Sequence, residues 1–211
     1  NAVGIGCDIT DENSVTSLLA SAKKFSNKID VVINCATYSS SNKLKLSAPY
    51  EDYDLEEWKR MMSVNLDGAF LLTKIFGPEI AKNKSGGSII LLSSIYGFLG
   101  TDQSIYDVIN SPKERFNNPA AYSTSKGGVI NLARYLATYW AKDGVRVNVL
   151  SLGGIDNHHD PKFKKEYSAK VPMQRMGQPK ELDGALLFLA SNESSYFTGQ
   201  NLVVDGGYSA W

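Results

Sequence analysis

The sequence predicts an α/β fold in which a doubly wound parallel sheet carries helices on both faces. Three observations lead to this prediction. Short runs of the chain are almost continuously apolar, as strands buried on both faces of a parallel sheet are. Other segments carry apolar residues at helical spacing. The two kinds of segment alternate along the chain, which is the order that builds parallel strands joined by crossover helices.

Five of the apolar runs are predicted as strands. Two examples are IDVVIN at 29–34 and VRVNVLSL at 145–152, in which β-branched residues dominate. The complete set of predicted strands covers residues 3–9, 29–34, 88–94, 145–152 and 201–206.

Four segments are predicted as helices. The first follows Asp11, a candidate N-cap. The longest begins with Asp54 and Glu57 in the spacing of a capping box, and Pro78 is expected to kink it or end it late. The last opens with Pro179 at a first-turn position. The predicted helices cover residues 12–25, 54–83, 122–142 and 179–190.

Composition is that of an ordinary globular domain. The 211 residues are 43% hydrophobic, and we expect one domain over residues 1–211. The 22 basic and 22 acidic residues cancel, so charge gives no reason to expect a nucleic acid or an anionic membrane as partner. No apolar run is long enough to span a membrane. Cys7 and Cys35 lack metal-ligand spacing, and we interpret them as buried thiols in a reducing compartment, the cytoplasm.

Small and polar residues follow four of the predicted strands. Asp8, Asn34, Ser94 and the stretch 153–157 all stand where a strand ends, and Tyr122 opens the next helix. In a parallel α/β sheet these ends share one rim, which is where ligands bind. Asp, Asn, Ser and Gly also favour turns for their own sake. Their coincidence at one rim favours a ligand site over turn chemistry alone.

Tyr122 and Lys126 are spaced to share a helical face. The spacing alone fits either a catalytic pair or two unrelated neighbours. As a pair, the ammonium would favour the phenolate and lower the pKa of Tyr122 from its usual value of about 10. Such a phenol could give a proton to a ketone oxygen, or take one from an alcohol, while hydride moves. Ser94 could hydrogen-bond the same substrate oxygen.

Seven stretches resemble motifs of the short-chain dehydrogenase/reductase family, in that family's order and over essentially the whole chain. Cys35, Thr37 and Leu152 depart from the family pattern. The stretches are CDIT (7–10), NCAT (34–37), SVNLDGAF (63–70), GGSIILLSSIYG (86–97), YSTSK (122–126), RVNVLSLGGI (146–155) and FLASNESSYFTGQNLVVDGG (188–207).

The resemblance implies a Rossmann-like, three-layer α/β/α fold and a set of site residues. It implies a catalytic tetrad of Asn65, Ser94, Tyr122 and Lys126, in which Asn65 holds a proton-relaying water. A distorted helix with a local hydrogen bond is the other interpretation of Asn65. The implied cofactor is NAD or NADP. Its contacts would come from Asp8, Ile9, Asn34, Ala36, Tyr122, Lys126, Gly153, Gly154 and Ile155.

One family element has no counterpart in the sequence: the glycine-rich turn after the first strand. The resemblance therefore implies that the first βαβα segment is missing, and with it the residue that chooses between NAD and NADP. We expect the 211-residue chain to bind a dinucleotide weakly or not at all. The run at 3–9 would then lack its neighbours, and would hang free, swap into another chain or slide beside 29–34.

Two segments bear on the substrate. The long stretch 97–121 and the stretch 155–179, which corresponds to the family's substrate lid, are rich in aromatic and hydrogen-bonding residues. Both favour a polar, sugar-like substrate, and the first is similar to dehydrogenases of bacterial surface-sugar or flagellin-glycan pathways. His158 and His159 could be metal ligands, but we interpret them as lid residues and expect no metal.

Three functions remain open at this point. The first is an NAD(P)-dependent oxidoreductase acting on an alcohol or ketone, with Tyr122 as general acid/base. The second is a 3-oxoacyl carrier-protein reductase. The third is a chain that keeps the tetrad but cannot hold a dinucleotide. The family resemblance also implies a homo-oligomer, a tetramer or dimer, in which the helices containing Asn65 and Tyr122 pair across one interface.

Overall fold

The computed structural model describes residues 2–40, 42–111 and 115–211, in which four parallel strands form one sheet. The strands lie in the order β1-β2-β3-β4, so chain order and sheet order agree. This confirms four of the five predicted strands and the parallel α/β class. The bounds are β1 Val31–Asn34, β2 Gly87–Ser94, β3 Val145–Leu152 and β4 Asn201–Val204.

The strand predicted over residues 3–9 is wrong. Residues 3–8 are exposed and pair with no strand in the described ranges, and Val3 is 57% exposed. In those ranges β1 pairs with β2 alone, so its outer edge is open, but residues 3–9 do not add to it. Gly4, Gly6 and Asp8 also weaken the tendency of this run to form a strand. Cys7 in this segment and Cys35 after β1 are exposed, so the prediction of two buried thiols is also wrong.

All four predicted helices are present. The first and the last keep the predicted bounds 12–25 and 179–190, the last as a 3-10 turn followed by an α-helix, and the other two have shifted ends. None of the helices in the described ranges is both long and apolar enough to cross a membrane. The α-helices are α1 Glu12–Phe25, α2 Lys43–Leu46, α3 Leu55–Met62, α4 Gly68–Ala81, α5 Ala120–Trp140, α6 Pro161–Ala169 and α7 Asp183–Ala190. Short 3-10 helices cover Tyr50–Asp52, Ile95–Gly97, Gln103–Ile109, Ala141–Asp143, Pro179–Leu182, Asn192–Ser194 and Tyr208–Ala210.

The long helix predicted over 54–83 is α3 and α4 joined by a π-helical turn at Ser63–Asp67. Asp54 caps it by accepting from the Glu56 amide at 2.8 Å. The predicted capping box is absent, because the Glu57 carboxylate is buried and accepts instead from Tyr38 and Arg60. Pro78 lies inside α4, which continues to Ala81.

Apolar side chains cover both faces of the sheet, which explains why the strands are almost continuously apolar. Ile89 and Val147 point into a cluster shared with α1, α4 and α5. Their neighbours Ile90 and Leu150 point to the other face, into a cluster shared with α7. The three layers hold the carboxyl ends of β1, β2 and β3 at one rim.

Candidate active site

A cavity of about 250 Å³ opens at this rim. Ser94 reaches it from the end of β2, Tyr122 from the first turn of α5, and Gly153–Ile155 from the loop after β3. Parallel register explains part of this convergence, since Ser94 pairs directly with Leu152. The structure therefore brings together five of the residues that the sequence predicts for the site.

Tyr122 lies in the cavity wall with a half-buried side chain. Burial raises the pKa of its phenol, and a hydrogen bond with the Ser94 hydroxyl acts in the opposite direction. The sequence predicts the reverse, a pKa lowered by Lys126. The Lys126 Nζ is 5.7 Å from the centre of the Tyr122 ring, and loss of hydration, not this charge, sets the direction of the Tyr122 pKa. The phenol is held in its protonated form.

Lys126 places an ammonium group in the protein interior. The residue is 6% exposed, and its Nζ donates to the Leu92 carbonyl at 3.1 Å. Loss of hydration lowers the pKa of Lys126 to about 8, while the nearby Cys35 acts to raise it. Ser93 fixes the base of the side chain, because its hydroxyl donates to the Lys126 carbonyl at 2.9 Å.

Asn65 sits in the π turn and is 2% exposed. Its Oδ1 accepts from the Tyr38 amide at 2.8 Å, and its Nδ2 donates to the Ser125 hydroxyl at 3.0 Å. The Ser125 hydroxyl in turn donates to the Tyr122 carbonyl at 2.8 Å. Asn65 thus lies in a distorted stretch of its helix, and through Ser125 its side chain ties the loop after β1 to the first turn of α5, which carries Tyr122.

Five of the residues predicted to contact a cofactor do not line this cavity: Asp8, Ile9, Asn34, Ala36 and Lys126. Asp8 is exposed, and hydrogen bonds from the Thr10 hydroxyl and amide lower its pKa. Ile9 packs on the core near Gly68. Asn34 is buried, and its Oδ1 accepts from the Ala36 amide at 3.1 Å.

The two predicted substrate segments close over the cavity. Tyr106, from the 3-10 helix at Gln103–Ile109, packs on Phe163 of α6 with ring centres 5.2 Å apart. An ion pair of 3.0 Å joins Asp102 to Lys170 and so links the two segments. The part of the first segment at 112–114 lies outside the described residues.

His159 lines the cavity, whereas His158 does not. Across the described ranges no group of three or more His, Cys, Asp or Glu is arranged to hold a metal ion.

Several cavity residues are not named individually by the sequence-based prediction, among them Tyr96 and Tyr167, although Tyr167 lies within the predicted lid segment 155–179. Tyr167 of α6 is 3% exposed, and its hydroxyl accepts from the Gly154 amide at 2.5 Å. Tyr96 is two residues beyond Ser94 and is 8% exposed. Its place after the serine strand is a usable signal, but its burial against other tyrosines is visible only in the structure.

The sequence has relatives among characterised protein families. A family model described as Enoyl-(Acyl carrier protein) reductase matches residues 1–209. D-arabinitol 2-dehydrogenase [ribulose-forming] of Candida albicans (strain WO-1) is 37% identical over 97% of this chain and 69% of its own length. Glucose 1-dehydrogenase 2 of Bacillus subtilis (strain 168) is 32% identical over 100% of this chain and 76% of its own.

A solved structure has the same architecture. The short chain dehydrogenase from Leptospira borgpetersenii serovar Hardjo-bovis (strain JB197), with bound NAD+, superposes with a TM-score of 0.84. It is 37% identical, and the match covers 97% of this chain and 74% of that one.

Proposed function

The chain belongs to the short-chain dehydrogenase/reductase family, and from this premise we propose that it transfers hydride between NAD or NADP and an alcohol or ketone of a sugar-like molecule. The observation that carries the proposal is the meeting of Ser94 and Tyr122 in one cavity, with the Lys126 ammonium buried beside the Tyr122 ring. A proton donor, an oxygen-binding hydroxyl and a cation at one strand rim suit carbonyl–alcohol chemistry.

Tyr122 gives its proton to the substrate oxygen in the reductive direction and takes it back in the oxidative direction. Its raised pKa keeps the phenol protonated, which is the form that donates in the reductive direction, and the oxidative direction requires the phenolate. Ser94 hydrogen-bonds the same oxygen and holds it beside the phenol. Asn65 sets the position of Tyr122 through Ser125.

The residues at the rim fit a nicotinamide dinucleotide. Among the described residues the buried Lys126 ammonium has one acceptor, the Leu92 carbonyl. An ammonium has three N–H donors, so ribose hydroxyls suit the remaining ones. A bound nicotinamide supplies or accepts the hydride. The residues that would hold it are Asp8, Ile9, Asn34, Ala36, Tyr122, Lys126, Gly153, Gly154 and Ile155.

The cavity walls support a sugar-like substrate. Tyr96, Tyr106, Tyr167, Asn118 and His159 combine flat apolar faces with hydrogen-bonding atoms, which suits a molecule with many hydroxyls. The relatives named for D-arabinitol and glucose are consistent with this class.

A second candidate is reduction of a carrier-protein thioester. The description of the matching family model names such a carrier protein. Lys162 and Lys165 on the lid helix α6 are also exposed, and basic side chains suit an acidic carrier. Turnover of acetoacetyl thioesters in preference to polyols and sugars would favour this candidate.

The test is Tyr122→Phe in the full-length enzyme. Loss of general acid–base help should reduce kcat by about 10²–10⁴-fold and leave dinucleotide affinity, measured by calorimetry, within a few-fold. Tyr135→Phe is the matched control, because Tyr135 is 62% exposed on the same helix. Wild-type and variants should be assayed on polyols, sugars and acetoacetyl thioesters with both dinucleotides. Near-normal turnover by Tyr122→Phe would overturn the mechanism.

A further inference from the structure

Tyr96 places a buried hydroxyl, unpaired in the part of the chain that the structure describes, beside the catalytic cavity. The side chain lines the catalytic cavity and is 8% exposed. Its Oη has no hydrogen-bond partner among the described residues. A buried hydroxyl left unpaired is costly, so it is rare in a folded protein without a functional reason.

The position of Tyr96 relative to the reacting groups is fixed. Its amide donates to the Ser94 hydroxyl at 3.2 Å, within the 3-10 turn Ile95–Gly97. The same turn packs tightly on α5, since a Cβ added to Gly97 would lie 2.9 Å from the Lys126 carbonyl. The backbone of Tyr96 is therefore anchored to Ser94 and packed against the helix that carries Tyr122.

The other tyrosines around Tyr96 leave its hydroxyl free. The Tyr167 hydroxyl is bound to the Gly154 amide. Burial, and then the nearby hydroxyls of Tyr106 and Tyr208, raise the pKa of Tyr96. Both hydroxyls lie close enough to influence the Tyr96 phenol, but neither has the distance and angle of a hydrogen bond with it. The phenol thus stays protonated and retains both a donor and an acceptor function.

We propose that the Tyr96 hydroxyl binds a second hydroxyl of the substrate, one carbon or more from the oxygen held by Ser94 and Tyr122. The proposal rests on the proposed oxidoreductase function and narrows its substrate class to polyhydroxylated molecules. Tyr106 and the lid helix α6 cover the site, so the substrate hydroxyl reaches Tyr96 when these elements move. A substrate without that hydroxyl leaves the phenol unpaired and is discriminated against.

The experiment pairs one protein change with one substrate change. Wild-type and Tyr96→Phe enzymes are assayed on a pentitol and on the series of its single-deoxy derivatives. The wild type should lose about tenfold in kcat/KM when one particular hydroxyl is removed. Tyr96→Phe should lose about as much on the parent pentitol and be indifferent to removal of that hydroxyl. Equal responses of the two enzymes to every deoxy derivative would overturn the proposal.

Tyr53→Phe is the matched control. Tyr53 also has a buried hydroxyl without a partner in the described chain, but it lines a different cavity. Both variants should melt at or slightly above the wild-type temperature, because each removes an unpaired polar atom. A Tyr96→Phe enzyme that melts several degrees lower would show a structural hydrogen bond instead of a substrate subsite.

Failure of this proposal and failure of the proposed function give different results. If pentitols are turned over but Tyr96→Phe keeps the wild-type selectivity, the Tyr96 subsite is wrong and the oxidoreductase function stands. If acetoacetyl thioesters are the only substrates turned over, both are overturned.

Discussion

Lys126 shows how one residue of the site opposes folding. A buried ammonium has lost most of its hydration, and its pKa of about 8 lies below the ordinary 10.5. Below pH 8 the folded and unfolded chains both carry the proton, and the full cost of burial is present. Between pH 8 and 10.5 the folded state has lost the proton and the unfolded state retains it, so stability rises with pH across this window.

We therefore expect Lys126→Met to stabilise the protein while abolishing its activity. The free energy of unfolding at pH 7 should rise by on the order of 1–3 kcal/mol, and this gain should shrink as the pH increases above 8. Urea titrations at pH 7 and pH 9.5 measure both effects. Lys142→Met, at an exposed lysine, is the control and should change stability little. A Lys126→Met protein less stable than wild type at pH 7 would contradict the burial cost.

At the scale of elements, the π turn Ser63–Asp67 connects α5 to the loop after β1 by hydrogen bonds. Asn65 uses both ends of its side chain, one for the Tyr38 amide and one for Ser125. The other end of Tyr38 is also held, because its side-chain hydroxyl donates to the buried Glu57 carboxylate at 3.0 Å. Hydrogen bonds therefore join three elements that are distant in sequence around Tyr122, in addition to the apolar contact of Leu66 in the π turn with the core.

Ser125→Ala should break this connection. The change leaves the Asn65 Nδ2 buried without its acceptor, which costs about 1–3 kcal/mol of stability. Chemical denaturation measures the loss, and Thr124→Ala on the exposed face of α5 provides the comparison. Equal stability of the two variants would show that Asn65 finds another partner.

How far the sequence predicts these elements depends on whether the determinant is local. The strands at β2 and β3 are predictable because continuous apolar runs need cover on both faces, which the clusters around Ile89 and Ile90 provide. The run at 3–9 interrupts its apolar residues with Gly4, Gly6 and Asp8 and adds to no edge of the sheet in the described ranges, so its apolar residues mislead. The π turn at Asn65 depends on partners far along the chain and has no local pattern.

Predictability of the site residues likewise depends on whether their determinant is local in the sequence. Ser94, Tyr122 and Gly153–Ile155 were predictable because strand ends and a helix start converge in any such sheet. The pKa of Tyr122 was not, because its direction depends on how much water the folded protein excludes. The free hydroxyl of Tyr96 likewise depends on which neighbours are already paired.

At the scale of the whole molecule, the surface carries aromatic side chains that the fold leaves uncovered. Tyr135 and Tyr139 on α5 stack at 6.0 Å, and both are more than half exposed. Phe70 on α4 is 50% exposed, and it lines one surface cavity together with Tyr135 and Tyr139. Contiguous exposed aromatic groups of this kind mark protein interfaces.

We accordingly predict a homo-oligomer, a dimer or tetramer, that pairs through α4 and α5. Tyr135→Glu with Tyr139→Glu should dissociate it, because two carboxylates would be buried against an apolar partner surface. Light scattering of the full-length protein at micromolar concentration measures the molar mass of the assembly. Tyr196→Glu is the control, at a fully exposed tyrosine outside these helices. A wild-type monomer would refute the prediction.

The hydrogen bond from the Gly154 amide to the Tyr167 hydroxyl has one more consequence. It connects α6 to the loop after β3, which also lines the cavity, so α6 cannot move away from the cavity without breaking this hydrogen bond. Gly154 is consequently a natural reporter nucleus. Its ¹⁵N resonance senses each opening event, and relaxation dispersion on that single signal gives the opening rate of the enzyme without a dye, a spin label or a substrate.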